Sequence, residues 1–157
     1  MLKTQEQRIS IMIVRRATEQ DLPLLSILFD EYRQFYGSSS NLKQTSDFLL
    51  KRLKNQESVI FIGLKNDIIT GFIVLYQGFS TAECSQYYIL DDTYVTPNHR
   101  RQGTAHQLID TAILFAKQQN ALRISLQTAK NNIEARKLYE KLGFVEDTEF
   151  NTYHCFV

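Results

Sequence analysis

Three runs rich in β-branched and aromatic residues, SVIFIGL, TGFIVLY and SQYYILDDTYV, follow one another between residues 58 and 95. No other feature restricts the fold as strongly. The first two lie on either side of KNDI, a hairpin signal, so they form antiparallel neighbours. The third ends at Pro97, which cannot donate to a ladder, and carries Asp91 and Asp92 near its C-terminal end. A sheet with a mainly antiparallel first half follows.

Helical periodicities flank this block. IMIVRRAT is an opening strand, after which Thr18, Asp21 and Pro23 announce a helix start. Leu22, Leu25, Leu28, Phe29 and Tyr32 give a helix from about Glu19 to Phe35. GSSSN follows as the loop expected to be most flexible, then a second helix near Thr45 to Lys54 with Phe48, Leu49 and Leu53 on one side. Beyond Pro97, Ala105, Leu108, Ile109, Ala112, Ile113 and Ala116 form one stripe of a helix reaching about Gln118. LRISLQT alternates as a strand, with Leu122, Ile124 and Leu126 on one face. NNIEARKLYEKLGF is a short helix stopped by Gly143, and FVEDTEFNTYHCFV is expected to add one or two closing strands. The expectation is one α/β (α+β) domain over residues 1–157.

Charge and cysteine content remove several function classes. Eighteen Lys plus Arg stand against 17 Asp plus Glu, so no global field draws the chain to nucleic acid or an anionic membrane. The apolar run IMIV is too short for a signal-peptide core, and no stretch approaches a membrane span. Cys84 and Cys155 make no disulfide framework and the histidines no metal-ligand spacing, so no metal is expected and a reduced, cytoplasmic setting fits.

An anion site must therefore be local, and TPNHRRQGTAHQL, Thr96 to Leu108, supplies one candidate. A helix start leaves its first N–H groups without intrahelical partners and carries partial positive charge, which suits a phosphate. Gly103 permits close approach, Ala105 keeps the next contact small, and Arg100 and Arg101 add charge-assisted bonds. The competing reading is a surface turn beside solvated arginines. No G-x-x-x-x-G-K-[ST] or paired-glycine fingerprint is present.

YVTPNHRRQGTA, followed about thirty residues later by NNIEARKLYEKLGF, resembles the acetyl-CoA-binding core of the GNAT superfamily of N-acetyltransferases. Arg100, Gly103 and Ala105 match its Q/R-x-x-G-x-G/A turn; Asn132, Ala135, Tyr139, Gly143 and Phe144 match its N-x-x-A-x-x-x-Y-x-x-x-G-F pattern. DEYRQFYG, FLLKRLKNQESVIFIG and ILDDTYVTP look like a bacterial small-amine branch, and LDDTYV is similar to the LEDxFV segment of diamine acetyltransferases, with Asp91 standing where those carry Glu. The resemblance implies a central mixed, mostly antiparallel twisted sheet flanked by helices, with a splayed strand pair at the cofactor cleft. It places the acetyl-CoA core at about residues 87–145.

It also implies roles. The turn from Arg100 through Arg101, Gln102, Gly103 and Thr104 to Ala105 would hold the pyrophosphate, with Tyr94 and Val95 along the pantetheine arm and a strand-end N–H on the thioester carbonyl. Tyr139 would face the sulfur; its pKa of about 10 exceeds the roughly 8.5 of a thiol, so it can donate to the departing thiolate. It also fits as an ordinary core aromatic. On a regular strand Asp91 and Asp92 point to opposite faces, and the resemblance favours Asp91 as the group that holds the substrate ammonium or orders a water, with Asp92 the alternative. A structural carboxylate is equally compatible with either. Asn132 is an N-cap, a pantetheine contact, or both. Tyr32, Phe35 and Tyr36 could wall an amine pocket or simply pack.

The expected activity is direct transfer of an acetyl group to a primary amine of a small molecule: a polyamine, amino acid derivative or aminoalkyl compound. Acetylation of a protein N-terminus or lysine, or acetyl-CoA sensing without turnover, are the alternatives. NTYHCFV suits either a final strand or a homodimer contact.

Overall fold

The computed structural model describes residues 11–157. Five strands form one sheet in the order β1-β2-β3-β4-β5: β1 Met12–Arg16, β2 Val59–Lys65, β3 Ile68–Ser80, β4 Ser85–Val95 and β5 Ile124–Leu126. The first four are antiparallel neighbours and β4–β5 is parallel, so the sheet is mixed as the sequence implied. Its helices are α1 Leu22–Phe35, α2 Leu42–Lys54, α3 Thr104–Gln118 and α4 Ile133–Lys141. The chain divides into two compact units, one ending at Gln127 and one of Thr128–Val157.

Within the first unit, α1 and α2 cover one sheet face. Leu25, Leu28, Phe29 and Leu49 pack there with Ile60, Ile62, Phe72, Val74 and Tyr94, and the Phe29 and Phe72 rings stack at 3.9 Å. The other face takes α3, which buries Leu108, Ile109, Ala112 and Ala116 and sets Phe115 edge-on to Phe61 and tilted against Tyr88. Two glycines let the start of α3 descend onto the sheet. A Cβ at Gly63 or Gly71 would lie 3.3 Å from Thr104 Cγ2, and at Gly71 only 2.6 Å from the Tyr94 carbonyl.

Local chemistry explains the element ends. Asn66 and Asp67 both take positive φ between β2 and β3, the signature of a type I′ turn. Before α1 comes a 3₁₀ turn, Glu19–Asp21; Asp21 accepts from Thr18 N–H at 2.8 Å and holds Arg15 bidentately at 2.7 and 2.8 Å. The Arg15 guanidinium, with the Thr18 N–H, holds the Asp21 carboxyl at about 2. Asn41 caps α2 by accepting from Gln44 N–H, which starts the helix three residues earlier than its apolar stripe suggests.

Four expectations change. The α1–α2 loop, expected to be flexible, is tied down: buried Asp30 accepts from Ser40 Oγ at 2.6 Å, Asn41 N–H at 2.8 Å, and the Arg33 and Thr45 side chains. Phe48 is exposed beneath the Arg52 guanidinium rather than in the core. Strand β5 is three residues long and leaves Leu122 outside, because β4 pairs with it only from Tyr88 to Leu90. No strand forms from 145 to 157 among the described residues, and Val145, Phe150, Tyr153, Phe156 and Val157 are exposed. No helix of the described residues is long and apolar enough to cross a membrane.

Candidate active site

A break in β4 builds the site. Val74 pairs with Asp92 but Leu75 pairs with Leu90, so Asp91 is the extra residue of a β-bulge. One inserted residue reverses everything downstream. Leu90 shares the α3 face with its partner Leu75, whereas Asp92 and Tyr94 lie with Val74 and Phe72 on the α1 face. The regular strand assumed from sequence, with the two aspartates on opposite faces, is therefore replaced by a bulge.

The same insertion reverses the backbone. Upstream, Tyr88 N–H reaches Arg123 O toward β5; downstream, Thr96 N–H reaches Thr70 O toward β3. By the two-residue alternation, the amides of Thr93 and Val95 point to the β5 side, where pairing has ended at Leu90 and Leu126. Those two edge N–H groups border a gap that begins at the bulge, and the Tyr94 amide turns the other way, toward β3. A donor at Val95 suits a carbonyl oxygen that gains negative charge.

On the α1 face, Tyr32 Oη donates to Asp92 Oδ1. Burial pushes the Asp92 carboxyl above its ordinary value, with the Tyr32 bond opposing and the nearby Asp91 charge adding. Burial and then Asp92 push the Tyr32 phenol far up, so it remains a donor. Tyr36 packs edge-on to Tyr32 at 5.0 Å, Tyr94 lies 5.8 Å away, and Tyr76 is raised by burial and then by Asp91 and Asp92. Asp91 itself is exposed. The product is a half-buried carboxylate bonded to Tyr32 beside a cluster of tyrosines, a setting that attracts an ammonium by charge.

The turn after β4 is a 3₁₀ segment, Pro97–His99, that leads through Arg101 (φ +58°) and Gly103 (φ +86°) into α3. Gly103 is the N-cap of α3 and Thr104 is buried beneath the turn. The first-turn amides of Thr104, Ala105 and His106 have no carbonyl four residues back to bond within the helix. Gln102 donates to Asn98 O at 3.0 Å, so its side chain lies along the turn. Arg100 turns away from it: Nε donates to Val95 O at 2.9 Å, and the guanidinium lies 5.8 Å from both the Phe35 and Tyr94 rings.

Tyr32, Tyr36, Asp91, Asp92, Tyr94, Val95 and Arg100 thus meet in the first unit. Asn132, Ala135 and Tyr139 belong to the second. There Asn132 Oδ1 caps α4 by accepting from Ala135 N–H at 3.3 Å, and Phe144 N–H closes the helix on Tyr139 O across Gly143 (φ +89°). Tyr139 sits edge-on to Phe144 at 5.7 Å. Sequence reasoning missed Thr93, whose amide borders the gap and whose hydroxyl is buried with no partner, and Tyr76; no local pattern marks either. Among the described residues no cluster of His, Cys, Asp or Glu could hold a metal.

Known proteins share this sequence and fold over most of the chain. The model of the acetyltransferase (GNAT) family matches residues 24–144. An uncharacterized N-acetyltransferase of Bacillus subtilis (strain 168), YhfO, is 40% identical over 142 residues, 90% of this chain and 95% of that protein. A thialysine N-epsilon-acetyltransferase of Caenorhabditis elegans is 25% identical over 82% of this chain and 80% of its own. The crystal structure of a probable acetyltransferase superposes with a TM-score of 0.89 at 39% identity, covering 92% of this chain and 97% of that one.

Proposed function

The chain belongs to the acetyltransferase (GNAT) family, and from that premise we propose that it transfers the acetyl group of acetyl-CoA directly to a primary amine of a small molecule. The observation that carries the acceptor class is the Tyr32–Asp92 pair, with Tyr36 and Tyr94 packed edge-on against Tyr32. A half-buried carboxylate held by a phenol, with a second carboxylate at exposed Asp91, selects a cation. The thialysine acetyltransferase among the relatives, whose name specifies an amine at the end of a side chain, is in keeping with that choice.

The residues divide the work as follows. Asp92 holds the acceptor ammonium, replacing the Asp91 favoured by motif resemblance, and its upward shift makes it a better proton acceptor than an exposed aspartate. An Asp remains a weak base for an amine of pKa near 10, so a water carries the proton outward past Asp91. The neutral amine attacks the thioester carbon while the Val95 amide binds the carbonyl oxygen. The C–N bond forms, the C–S bond breaks, the nitrogen sheds its second proton to the same water, and the thiolate takes a proton from Tyr139, assigned from the family pattern and reprotonated from solvent. The amides at the start of α3 hold the pyrophosphate. Neither cysteine lies in this machinery; both are exposed, and direct transfer needs no acetyl-enzyme.

The test is thiol release from acetyl-CoA in one plate against diamines, polyamines, amino acids including thialysine, aminoalkylphosphonates and short peptides. Turnover with one or more small amines is expected. Turnover with peptides alone would overturn the acceptor class, and silence with all of them would overturn the small-amine reading.

A further inference from the structure

We propose that Lys65, the last residue of β2, is a phosphate contact for the nucleotide half of acetyl-CoA. The assignment rests on the reading above. Lys65 Nζ donates to Gln102 Oε1 at 2.7 Å, and Gln102 Nε2 donates to Asn98 O at 3.0 Å. An ammonium from a strand distant in sequence therefore stands at the same turn as the first-turn amides of α3.

Its position is fixed from both sides. Two residues upstream, a Cβ at Gly63 would lie 3.3 Å from Cγ2 of Thr104, the first residue of α3, so the absence of a side chain there lets the helix start sit close on β2. Immediately downstream, Asn66 and Asp67 close a two-residue turn with no slack, and Lys65 pairs with Ile68 across it. The β2 end and the start of α3 thus form one packed piece, and the lysine stem reaches the turn without loop motion.

Charge supports the same conclusion. Arg100, the cation that the turn motif suggests for a phosphate, is engaged with Val95 O and faces the Phe35 and Tyr94 rings on the acceptor side. Lys65 is held by a neutral carboxamide, which leaves its formal charge uncancelled by that partner. Exchanging the neutral carboxamide for a phosphate oxygen adds an opposite charge to a bond whose donor is already ionised, so the contact gains Coulomb attraction beside the hydrogen bond.

Acetyl-CoA titration calorimetry on wild type, Lys65→Met, Lys65→Arg and Lys117→Met tests this, with 3′-dephospho-acetyl-CoA as the second ligand. Lys117 is exposed in the last turn of α3 and controls for loss of one positive charge. Lys65→Met should weaken acetyl-CoA binding about tenfold or more, with Lys65→Arg retaining most affinity and Lys117→Met unchanged. If the loss vanishes with the dephospho ligand, the contact is to the 3′-phosphate; if it persists, to the pyrophosphate. Equal affinity of Lys65→Met and Lys117→Met for both ligands would overturn the proposal. Melting curves without ligand should coincide for all four proteins, which separates a binding effect from misfolding. Absence of acetyl-CoA binding by wild type would instead defeat the functional reading, and Lys65 with it.

Discussion

Replacing Tyr32 by Phe isolates one hydrogen bond at the centre of the site. The ring stays among Tyr36, Phe72 and Tyr94, and only the hydroxyl donated to Asp92 is lost. That bond lowers the pKa of a carboxyl otherwise raised by burial, so its removal must send Asp92 further up. A hydrogen bond to a charged group contributes about 1.5–3 kcal/mol, and in the variant that contribution to holding the carboxylate ionised is lost. If Asp92 acts as a carboxylate, the acid limb of kcat/KM against pH moves to higher pH. The ammonium of the acceptor titrates identically in both proteins and drops out of the comparison. Melting temperatures of the free proteins confirm that the packing survives. An acid limb that stays in place, or moves to lower pH, would refute the role given to this pair.

Other consequences are as definite. Gly71→Ala places a Cβ 2.6 Å from Tyr94 O and 3.2 Å from Val95 Cγ2; calorimetric unfolding should show about 1–3 kcal/mol of destabilisation, and acetyl-CoA affinity should fall because β4 and the start of α3 must part. Asp21→Asn should cost about 2 kcal/mol at neutral pH, from a carboxyl held near 2 against an unfolded value near 4. A depressed carboxyl stabilises above its unfolded pKa and loses that contribution as pH falls toward 2, so urea titrations of wild type and variant should converge between about pH 4 and pH 2. Tyr139→Phe should cut turnover about 10²-fold or more while acetyl-CoA binding, read by calorimetry, stays within about twofold; full activity would remove Tyr139 as the acid for the thiolate.

Much of the frame was legible because its signals are local. The hairpin at Asn66 and Asp67, the capping carboxylate at Asp21 and the glycine stop at Gly143 each depend on residues a few positions apart. What sequence could not show depends on tertiary pairing. The bulge at Asp91 exists because β4 must satisfy Leu75 and Val74 on β3 while parting from β5, and nothing within LDDTYV announces it. That insertion decides which aspartate meets Tyr32 and which amides face the gap. In the same way Arg100 matched a phosphate motif by spacing, yet its side chain is engaged by Val95 O and two rings, while Lys65 arrives from a different strand. Phe48 continued a helical stripe in sequence but overshot the edge of the core, where Leu49 alone is fully covered. The segment 145–157 has strand-like composition and no strand pairing among the described residues, since pattern alone supplies no partner.

The most direct measurement follows both products from one reaction mixture: thiol by colorimetry and N-acetylated acceptor by mass spectrometry, for wild type and Asp92→Asn with the best amine from the acceptor panel. Direct transfer predicts one acetylated amine per thiol released, intersecting initial-velocity lines when both substrates are varied, and a sharp rise in acceptor KM for Asp92→Asn. Thiol release without acetylated amine, or parallel lines that reveal an acetyl-enzyme, would contradict the account.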